Sequence, residues 1–214
     1  MAKEIIMQNV LLDPKKQYSF SDYFNLNIPI DELLAYFNYQ YRAEARYSLR
    51  HATTRPPFFE TLQAELTKYI EFFSLNNEVA RREVLISPIL LKVALFLNVP
   101  LRFEYPLRVN KQLGGKIDYY MQRENNLLII EAKQADLTRG FAQLAVELIA
   151  LDQWLEPDDK PLYGCISIGD IWRFGVLQRQ SKLITEDMYV YQVPANLEEL
   201  LAILIGILEG NDSD

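Results

Sequence analysis

Histidine and cysteine are almost absent from this chain, and their scarcity limits the kinds of site that it can build. Its 214 residues include one histidine, His51, and one cysteine, Cys165. One cysteine cannot form a disulfide within the chain, and zinc sites made of His and Cys ligands need more of both. His51 follows Arg50 in a polar stretch, so we expect it on the surface and not as a general base.

A glycine-rich phosphate loop and a long apolar run are also missing. The Gly-Gly pair at 114–115 lacks the pattern that follows in such loops. The apolar runs at 89–97 and 200–208 are too short to span a bilayer, and the first ten residues lack the apolar centre of a signal peptide. We therefore expect a cytoplasmic protein without a membrane partner, and a single unpaired cysteine suits that reducing compartment.

Positive charge is scarce as well. The chain has 22 Lys and Arg against 29 Asp and Glu, which gives a net charge of −7 and a pI near 4.9. Binding to nucleic acid depends on Lys and Arg that neutralise phosphates, so we expect any such binding to be weak and salt-sensitive. Half of the residues are apolar, which is enough to bury a core in one domain with an appendage.

Two predicted strands and the helix that follows them occupy residues 114–143, the stretch with the strongest functional signal. Residues 127–132 are nearly all apolar and β-prone, as in a strand buried on both faces. Residues 115–122 form a second strand, and the polar residues between the two predict a tight hairpin turn. This hairpin brings an Asp, a Glu and a Lys close together.

The register of the hairpin depends on its loop. A loop of residues 124 and 125 places Asp118 opposite Glu131, whereas a loop of residues 125 and 126 places it opposite Lys133. Opposite β-carbons lie roughly 5 Å apart in either register. Because side chains alternate along a strand, Glu131 and Lys133 share one face, and the three side chains converge in both cases.

Two carboxylates and an ammonium group at the end of a buried strand indicate a metal site. Carboxylates at this distance repel each other, and the usual remedies are a shared proton or a divalent cation. Mg²⁺ prefers one or two carboxylates with water and substrate phosphate oxygens, and Lys133 can orient or help to deprotonate an attacking water. Asp118, Glu131 and Lys133 therefore predict metal-assisted phosphodiester hydrolysis. The alternative is a salt bridge of Lys133 with one carboxylate that closes the strand end.

The same residues resemble a known motif. Ile117-Asp118, twelve intervening residues and Glu-Ala-Lys at 131–133 are similar to the signature of the PD-(D/E)xK nuclease superfamily, with Ile117 in place of its Pro. Gln143 resembles an additional Gln found in several branches of that superfamily. Those branches often carry a Tyr four residues later, where this chain has Glu147.

The resemblance covers roughly residues 76–210 and implies a restriction-endonuclease-like core. We expect an α/β fold with a mixed central sheet flanked by helices, in the order helix–strand–strand–strand–helix–strand (αβββαβ). We assign residues 58–214 to this core and residues 1–57 to an N-terminal helical appendage. The Thr-Thr-Arg-Pro-Pro run at 53–57 marks the boundary between them.

The resemblance also implies roles for individual residues. Asp118 and Glu131, helped by the backbone carbonyl of Ala132, would bind Mg²⁺ or Mn²⁺. Lys133 would serve the attacking water. Gln143 would position a reacting group, and Glu83 would serve a second metal ion or the geometry of the site.

The residue pattern by itself leaves Glu83 and Gln143 open. Apolar residues four before Glu83 and three and seven after it place its carboxylate on or beside a buried helical stripe. There it either pairs with a base such as Arg82 or, as the resemblance implies, adds a third carboxylate to the site. Gln143 and Glu147 lie one turn apart on the helix after the strands. They either face Lys133, where Gln143 can hold a phosphate oxygen or a water, or form a surface pair.

An arginine stripe is a further candidate for nucleic-acid contact. A helix is predicted to open at Ile30-Asp31, and along it Arg42, Arg46 and Arg50 recur every four residues with tyrosines nearby. The alternative is an ordinary solvated helix face.

The sequence therefore predicts a Mg²⁺-dependent nuclease acting on nucleic acid, with DNA favoured over RNA. The competing hypothesis is a binding or assembly module that has the fold without the catalysis, which the acidic net charge favours. Many proteins of this fold act as dimers, so a homodimer is one arrangement to test.

Overall fold

An eight-stranded mixed sheet with helices on both faces organises the fold. The computed structural model describes residues 11–133 and 136–210. The helices are α1 Phe20–Asn25, α2 Ile30–Tyr36, α3 Phe59–Phe72, α4 Glu78–Arg81, α5 Ser87–Leu97, α6 Leu137–Trp154 and α7 Leu197–Glu209. The strands are β1 Gln40–Glu44, β2 Leu101–Arg108, β3 Gly114–Arg123, β4 Asn126–Ala132, β5 Leu162–Ser167, β6 Ile171–Gln178, β7 Leu183–Asp187 and β8 Tyr191–Gln192. The predicted α/β class is confirmed.

The sheet places β4 in its interior. The strands follow the order β1-β7-β6-β5-β4-β3-β2, and β8 pairs with β6. The β1–β7 and β4–β5 pairs are parallel, and the other pairs are antiparallel. All seven residues of β4 are buried, as its apolar sequence predicts. Glu131 is the charged exception in this strand and therefore needs buried partners.

Alternation along β4 assigns its side chains to two apolar layers. Leu128 and Ile130 belong to the layer that contains the core residues of α5 and α7. Leu127 and Ile129 belong to the opposite layer, which contains the core residues of α6. Glu131 follows the second pattern, because side chains two residues apart share a face. Its carboxylate therefore lies against α6.

The predicted order of the central elements is observed, since α5, β2, β3, β4, α6 and β5 follow one another along the chain. The sequence also predicts that Asp136 or Thr138 caps the helix after β4. Asp136 does so: its Oδ1 accepts a hydrogen bond from the backbone N–H of Arg139 at 3.0 Å. This cap starts α6 four residues after Lys133 and six after Glu131, so the first turns of α6 lie close to the end of the strand.

The helix predicted to open at Ile30-Asp31 does begin at Ile30, but the prediction that it continues through the arginine stripe is wrong. The helix ends at Tyr36, because Asn38 adopts a left-handed backbone conformation with φ 64°. The chain then forms β1, which pairs in parallel with β7. This tertiary pairing overrides the local helical periodicity from which the longer helix was predicted.

Residues 11–57 differ from the predicted helical appendage. Residues 1–10 lie outside the described part of the chain, but β1 is an edge strand of the main sheet. Leu12, Phe20 and Tyr23 are buried in the same apolar layer as α6. The partner strand of β1, Leu183–Asp187, has no counterpart in the sequence prediction. The sheet therefore joins segments on both sides of the predicted boundary at residue 57.

Helix α7 closes the layer opposite α6. It is buried along most of its length and ends at Gly210, which is in the left-handed conformation. No helix within residues 11–133 and 136–210 combines the length and the apolar composition needed to cross a bilayer. At Gly206 the helix touches backbone of another segment: a β-carbon built there would lie 2.6 Å from the backbone nitrogen of Ala52.

A Gly206→Ala substitution should therefore destabilise the fold. The clash costs about 1–3 kcal/mol because backbone cannot rotate away as a side chain can. This outweighs the gain of up to ~1 kcal/mol that Ala has over Gly within a helix. Gly114→Ala is the control, since the three atoms nearest to its new methyl group all belong to the flexible Arg108 side chain. Urea unfolding should show a lower midpoint for Gly206→Ala than for the control, and an equal or higher midpoint would contradict this packing.

Candidate functional site

Strands β3 and β4 bring Asp118 and Glu131 together. Tyr119 pairs with Ile130, and residues 124–125 form the loop of the hairpin. Continuing this register by one position places Asp118 opposite Glu131. The first of the two registers predicted from the sequence is therefore the one observed.

Asp118 is held from two sides at the edge of the buried strand. Its Oδ2 accepts a hydrogen bond from the backbone N–H of Ala132 at 2.9 Å. Its Oδ1 lies 3.3 Å from Nη1 of Arg82, and the side chain is 14% exposed. The resemblance implies a role for the backbone carbonyl of Ala132, whereas the contact of Ala132 with Asp118 is made by its amide N–H. Asp118 is thus fixed in place and still reaches solvent.

Lys133 lies directly after β4 and faces the same side as Glu131. Its Nζ is 2.5 Å from Oε1 of Glu131, and its backbone N–H donates to the carbonyl of Ser167 at 2.8 Å. The Nζ also lies 5.4 Å above the ring of Phe24 in α1. The salt bridge that the sequence offered as the alternative is therefore present, within the same cluster as both carboxylates.

Helix α6 supplies two further buried polar side chains. Gln143 is 2% exposed and Glu147 is fully buried, so the surface pair considered from the sequence is wrong. Nε2 of Gln143 donates to Oε1 of Glu131 at 2.7 Å and to Oε1 of Glu147 at 2.9 Å. The face of α6 that carries these residues therefore looks toward Lys133 and extends the cluster into the protein interior.

Burial and crowding shift the protonation of this cluster. Burial, followed by the neighbouring Asp118 charge, raises the pKa of Glu131 from 4.5 to about 7. Burial also raises the pKa of Asp118, although the Ala132 N–H and Arg82 act against it. The pKa of Glu147 rises well above its usual range because of burial and the nearby Glu131. Burial opposes the charge on Lys133, but the surrounding carboxylates leave its pKa raised. The nearby cations therefore do not compensate in full for the burial of the three carboxyl groups, whose pKa values all stay raised.

Glu83 does not join this cluster. It is exposed, and it is not among the residues that line the cleft. The prediction of a buried or half-buried position is wrong because residues 82–86 form a π-helical turn between α4 and α5. Such a turn contains more residues than an α-helical turn and shifts the side chains around the axis. Its neighbour Arg82 points to the site instead, where it pairs with Asp118 and with Glu104 at 3.2 Å.

An open cleft of about 430 Å³ leads to the cluster. Helix α1 forms one wall, where Ser19, Phe20 and Ser21 line the cleft. This wall is pressed against β3: a β-carbon at Gly115 would lie 2.9 Å from the backbone nitrogen of Phe20. The other lining residues are Glu78, Arg82, Glu104, Gly115, Lys116, Asp118, Glu131, Lys133 and Gln143. The predicted site residues Asp118, Glu131, Lys133 and Gln143 are thus brought together.

The three arginines of the predicted stripe lie elsewhere and are not on one helix. Arg42 is in β1 and faces Glu44 at 3.6 Å. Arg46 pairs with Glu199 and lies 4.3 Å above the ring of Tyr189. Arg50 lies 5.9 Å from the ring centre of Tyr163. None of the three lines the described cleft, so the residues do not form the predicted stripe.

The residues present fit a Mg²⁺ ion in part. Glu131 Oε2 is buried and has no hydrogen-bond partner within the described residues, and the same holds for Gln143 Oε1 and Glu147 Oε2. Unpaired buried acceptors attract cations or hydrogen-bond donors. No group of three or more His, Cys, Asp or Glu side chains is arranged around a metal position in the described ranges. Mg²⁺ does not need such a cage, because it binds through one or two carboxylates and keeps several waters.

The residues that sequence reasoning missed come from distant elements. The segment 19–21 carries no chemical signal, and the contact of Arg82 with Asp118 depends on the π-helical turn.

A scan against protein-family models, a search of curated proteins and a search of solved structures each return no match for this chain.

Proposed function

We propose that this protein is a Mg²⁺-dependent nuclease that hydrolyses phosphodiester bonds of nucleic acid. The observation that carries the proposal is the pair Asp118 and Glu131, opposite each other on neighbouring strands at the base of an open cleft. Lys133 lies beside the pair, within 2.5 Å of Glu131 Oε1. The partners we propose remain those expected from the sequence, with DNA favoured over RNA.

Each residue of the cluster has a task in this proposal. Asp118 and Glu131 hold the ion, which would supply a polarised phosphate and a more acidic bound water. Glu131 can offer Oε2 to it, because Oε1 already accepts from Lys133 and Gln143. Lys133 orients the attacking water and balances the negative charge that develops on the phosphate.

One observation favours the competing hypothesis of a non-catalytic binding module. Arg82 and Lys133 already neutralise Asp118 and Glu131 in part, at 3.3 Å and 2.5 Å. A permanent ion-pair network of this kind closes a strand end without any metal. In that case divalent ions neither bind nor stabilise the protein, whereas the nuclease proposal requires stabilisation that rises with ion concentration.

The walls of the cleft support a single-stranded substrate. Asp118 and Lys133 are only 14% and 13% exposed, and α1 stands beside them, fixed by its packing on Gly115. A rigid duplex carries its phosphates on the outside of a wide cylinder, whereas a single strand can bend one phosphate into a recess. The rim of the cleft has few cations, chiefly Arg82 and Lys116. This suits a substrate that contacts the protein through a short stretch of its phosphate backbone.

We expect Mg²⁺ or Mn²⁺ at low salt to produce cleavage of single-stranded nucleic acid. The rate should exceed that on a duplex of the same sequence at least about tenfold, the equivalent of 1.4 kcal/mol. The measurement uses end-labelled DNA and RNA, each as single strand and duplex, with and without chelator. Asp118→Ala and Lys133→Ala proteins, purified in parallel, control for contaminating nuclease.

The outcomes separate the hypotheses. Cleavage that disappears with chelator and in both variants supports the nuclease. Equal inactivity of wild type and variants on all four substrates would leave the binding module as the better account. Faster cleavage of duplex than of single strand would overturn the substrate argument alone.

A further inference from the structure

Glu147 is a buried carboxyl group for which the proposed reaction has no direct use. It lies in the middle of α6, is fully buried, and is not among the residues that line the cleft. Burying a carboxyl group is costly unless it is well hydrogen-bonded. Its Oε1 accepts a hydrogen bond from Nε2 of Gln143 at 2.9 Å, and its carboxyl group also interacts with the side chain of Glu131. Glu147 therefore acts on the site through its hydrogen bond with Gln143.

The amide of Gln143 is held between two carboxylates. A glutamine amide has two N–H donors and one carbonyl acceptor. Both donors are used, one by Glu131 at 2.7 Å and the other by Glu147 at 2.9 Å. The reversed amide would place its oxygen against Oε1 of Glu131, which already accepts from Lys133, so the observed orientation is the favoured one. Oε1 is left as the polar atom of Gln143 without a partner among the described residues.

We propose that Glu147 is a positioning residue that makes Gln143 present a hydrogen-bond acceptor to the ligand of the cleft. The group that Gln143 contacts is then a donor, a water molecule or a hydroxyl group. A phosphate oxygen is an acceptor itself and would be repelled at this position. Within the proposed nuclease, on which this last step rests, the donor is the attacking water.

This assignment separates two roles that the sequence left open for Gln143. If Glu147 did not take one N–H, that N–H would be free to bind a phosphate oxygen of the substrate. With Glu147 in place, loss of Gln143 should affect the chemical step more than substrate binding. The other N–H of Gln143 donates to Oε1 of Glu131, the same oxygen that lies 2.5 Å from Nζ of Lys133. Its direction is therefore fixed as well.

The test compares Glu147→Gln with Glu147→Leu in the ion-free protein. Gln at 147 keeps an acceptor oxygen of nearly the same length, whereas Leu removes it. In ¹⁵N-labelled wild type, the side-chain amide protons of Gln143 should exchange with water at least about tenfold more slowly than those of exposed Gln180. Glu147→Gln should keep this protection, and Glu147→Leu should lose about fivefold to tenfold of it. A Gln143→Leu protein identifies the signal by its absence.

Kinetic data on the active protein give a second, separate readout. Glu147→Leu should lower kcat and leave KM nearly unchanged, whereas a lost phosphate contact would raise KM. Unchanged protection of the Gln143 amide in a folded Glu147→Leu protein would overturn the positioning role. If that variant does not fold, a wild-type Gln143 that exchanges as fast as Gln180 overturns it without any variant. If the amide result holds and no substrate is cleaved, the proposed function fails while the positioning role stands.

Discussion

Replacing Asp118 with Asn should reduce Mg²⁺-dependent cleavage at least about 100-fold, since loss of even an outer partner of a metal ligand typically costs 10–100-fold. The amide has no charge to hold a divalent ion, and it also weakens the pull on Arg82. The contact between the strands should survive, because the side-chain oxygen of Asn can still accept from the Ala132 N–H. The variant is therefore expected to lose activity without losing its fold.

The measurement is the single-turnover cleavage rate at a saturating ion concentration, with urea unfolding as the check on folding. Asp159→Asn is the matched control, because it makes the same change of charge at an exposed position outside this cleft. Its rate should equal that of the wild type. A folded Asp118→Asn protein that keeps its rate to within a few-fold would show that the pair Asp118 and Glu131 is not the catalytic centre.

The central hairpin could be predicted from the sequence because its signals are local. The apolar run at 127–132 and the polar turn before it fix two strands, and alternation then places Glu131 and Lys133 on one face. The correct register needed one more fact, the two-residue loop at 124–125. The direction of Gln143 and Glu147 could not be chosen, since a helix with apolar residues on most sides does not reveal which polar residues face a neighbouring strand.

The errors arose where distant segments decide the local structure. Residues 40–44 form a strand because β7, more than 130 positions later, pairs with them. Arg82 reaches Asp118, and Glu83 faces solvent, because of one π-helical turn that α-helical periodicity cannot predict. The wall formed by α1 depends on its approach to Gly115. In each case the outcome depends on a tertiary contact or a helix geometry that the periodicity of one segment does not show.

In the absence of divalent ions, the protein should become less stable as the pH rises from about 4.5 to 7. The pKa of Glu131 is 4.5 in an unperturbed chain and about 7 in the fold, so the folded state binds the proton more tightly across this window. Stability falls with pH wherever the folded state binds more protons than the unfolded chain. At about 1.4 kcal/mol per pKa unit, Glu131 contributes a loss on the order of 3 kcal/mol. The raised pKa values of Asp118 and Glu147 act in the same direction.

The melting temperature should accordingly be higher at pH 5 than at pH 7.5. The titration of Glu131 should account for a difference on the order of 5–10 °C. Glu131→Gln should reduce this difference, because it eliminates one titrating group and the repulsion that it exerts on Glu147. Glu71→Gln, at an exposed position of α3, is the control and should leave the pH profile unchanged. If Asp118 and Glu131 hold Mg²⁺, the ion should restore stability at pH 7.5 in the wild type and not in Glu131→Gln. A wild type that melts at the same temperature at both pH values would contradict the buried, crowded state of these carboxylates, since that state is what raises the pKa of Glu131.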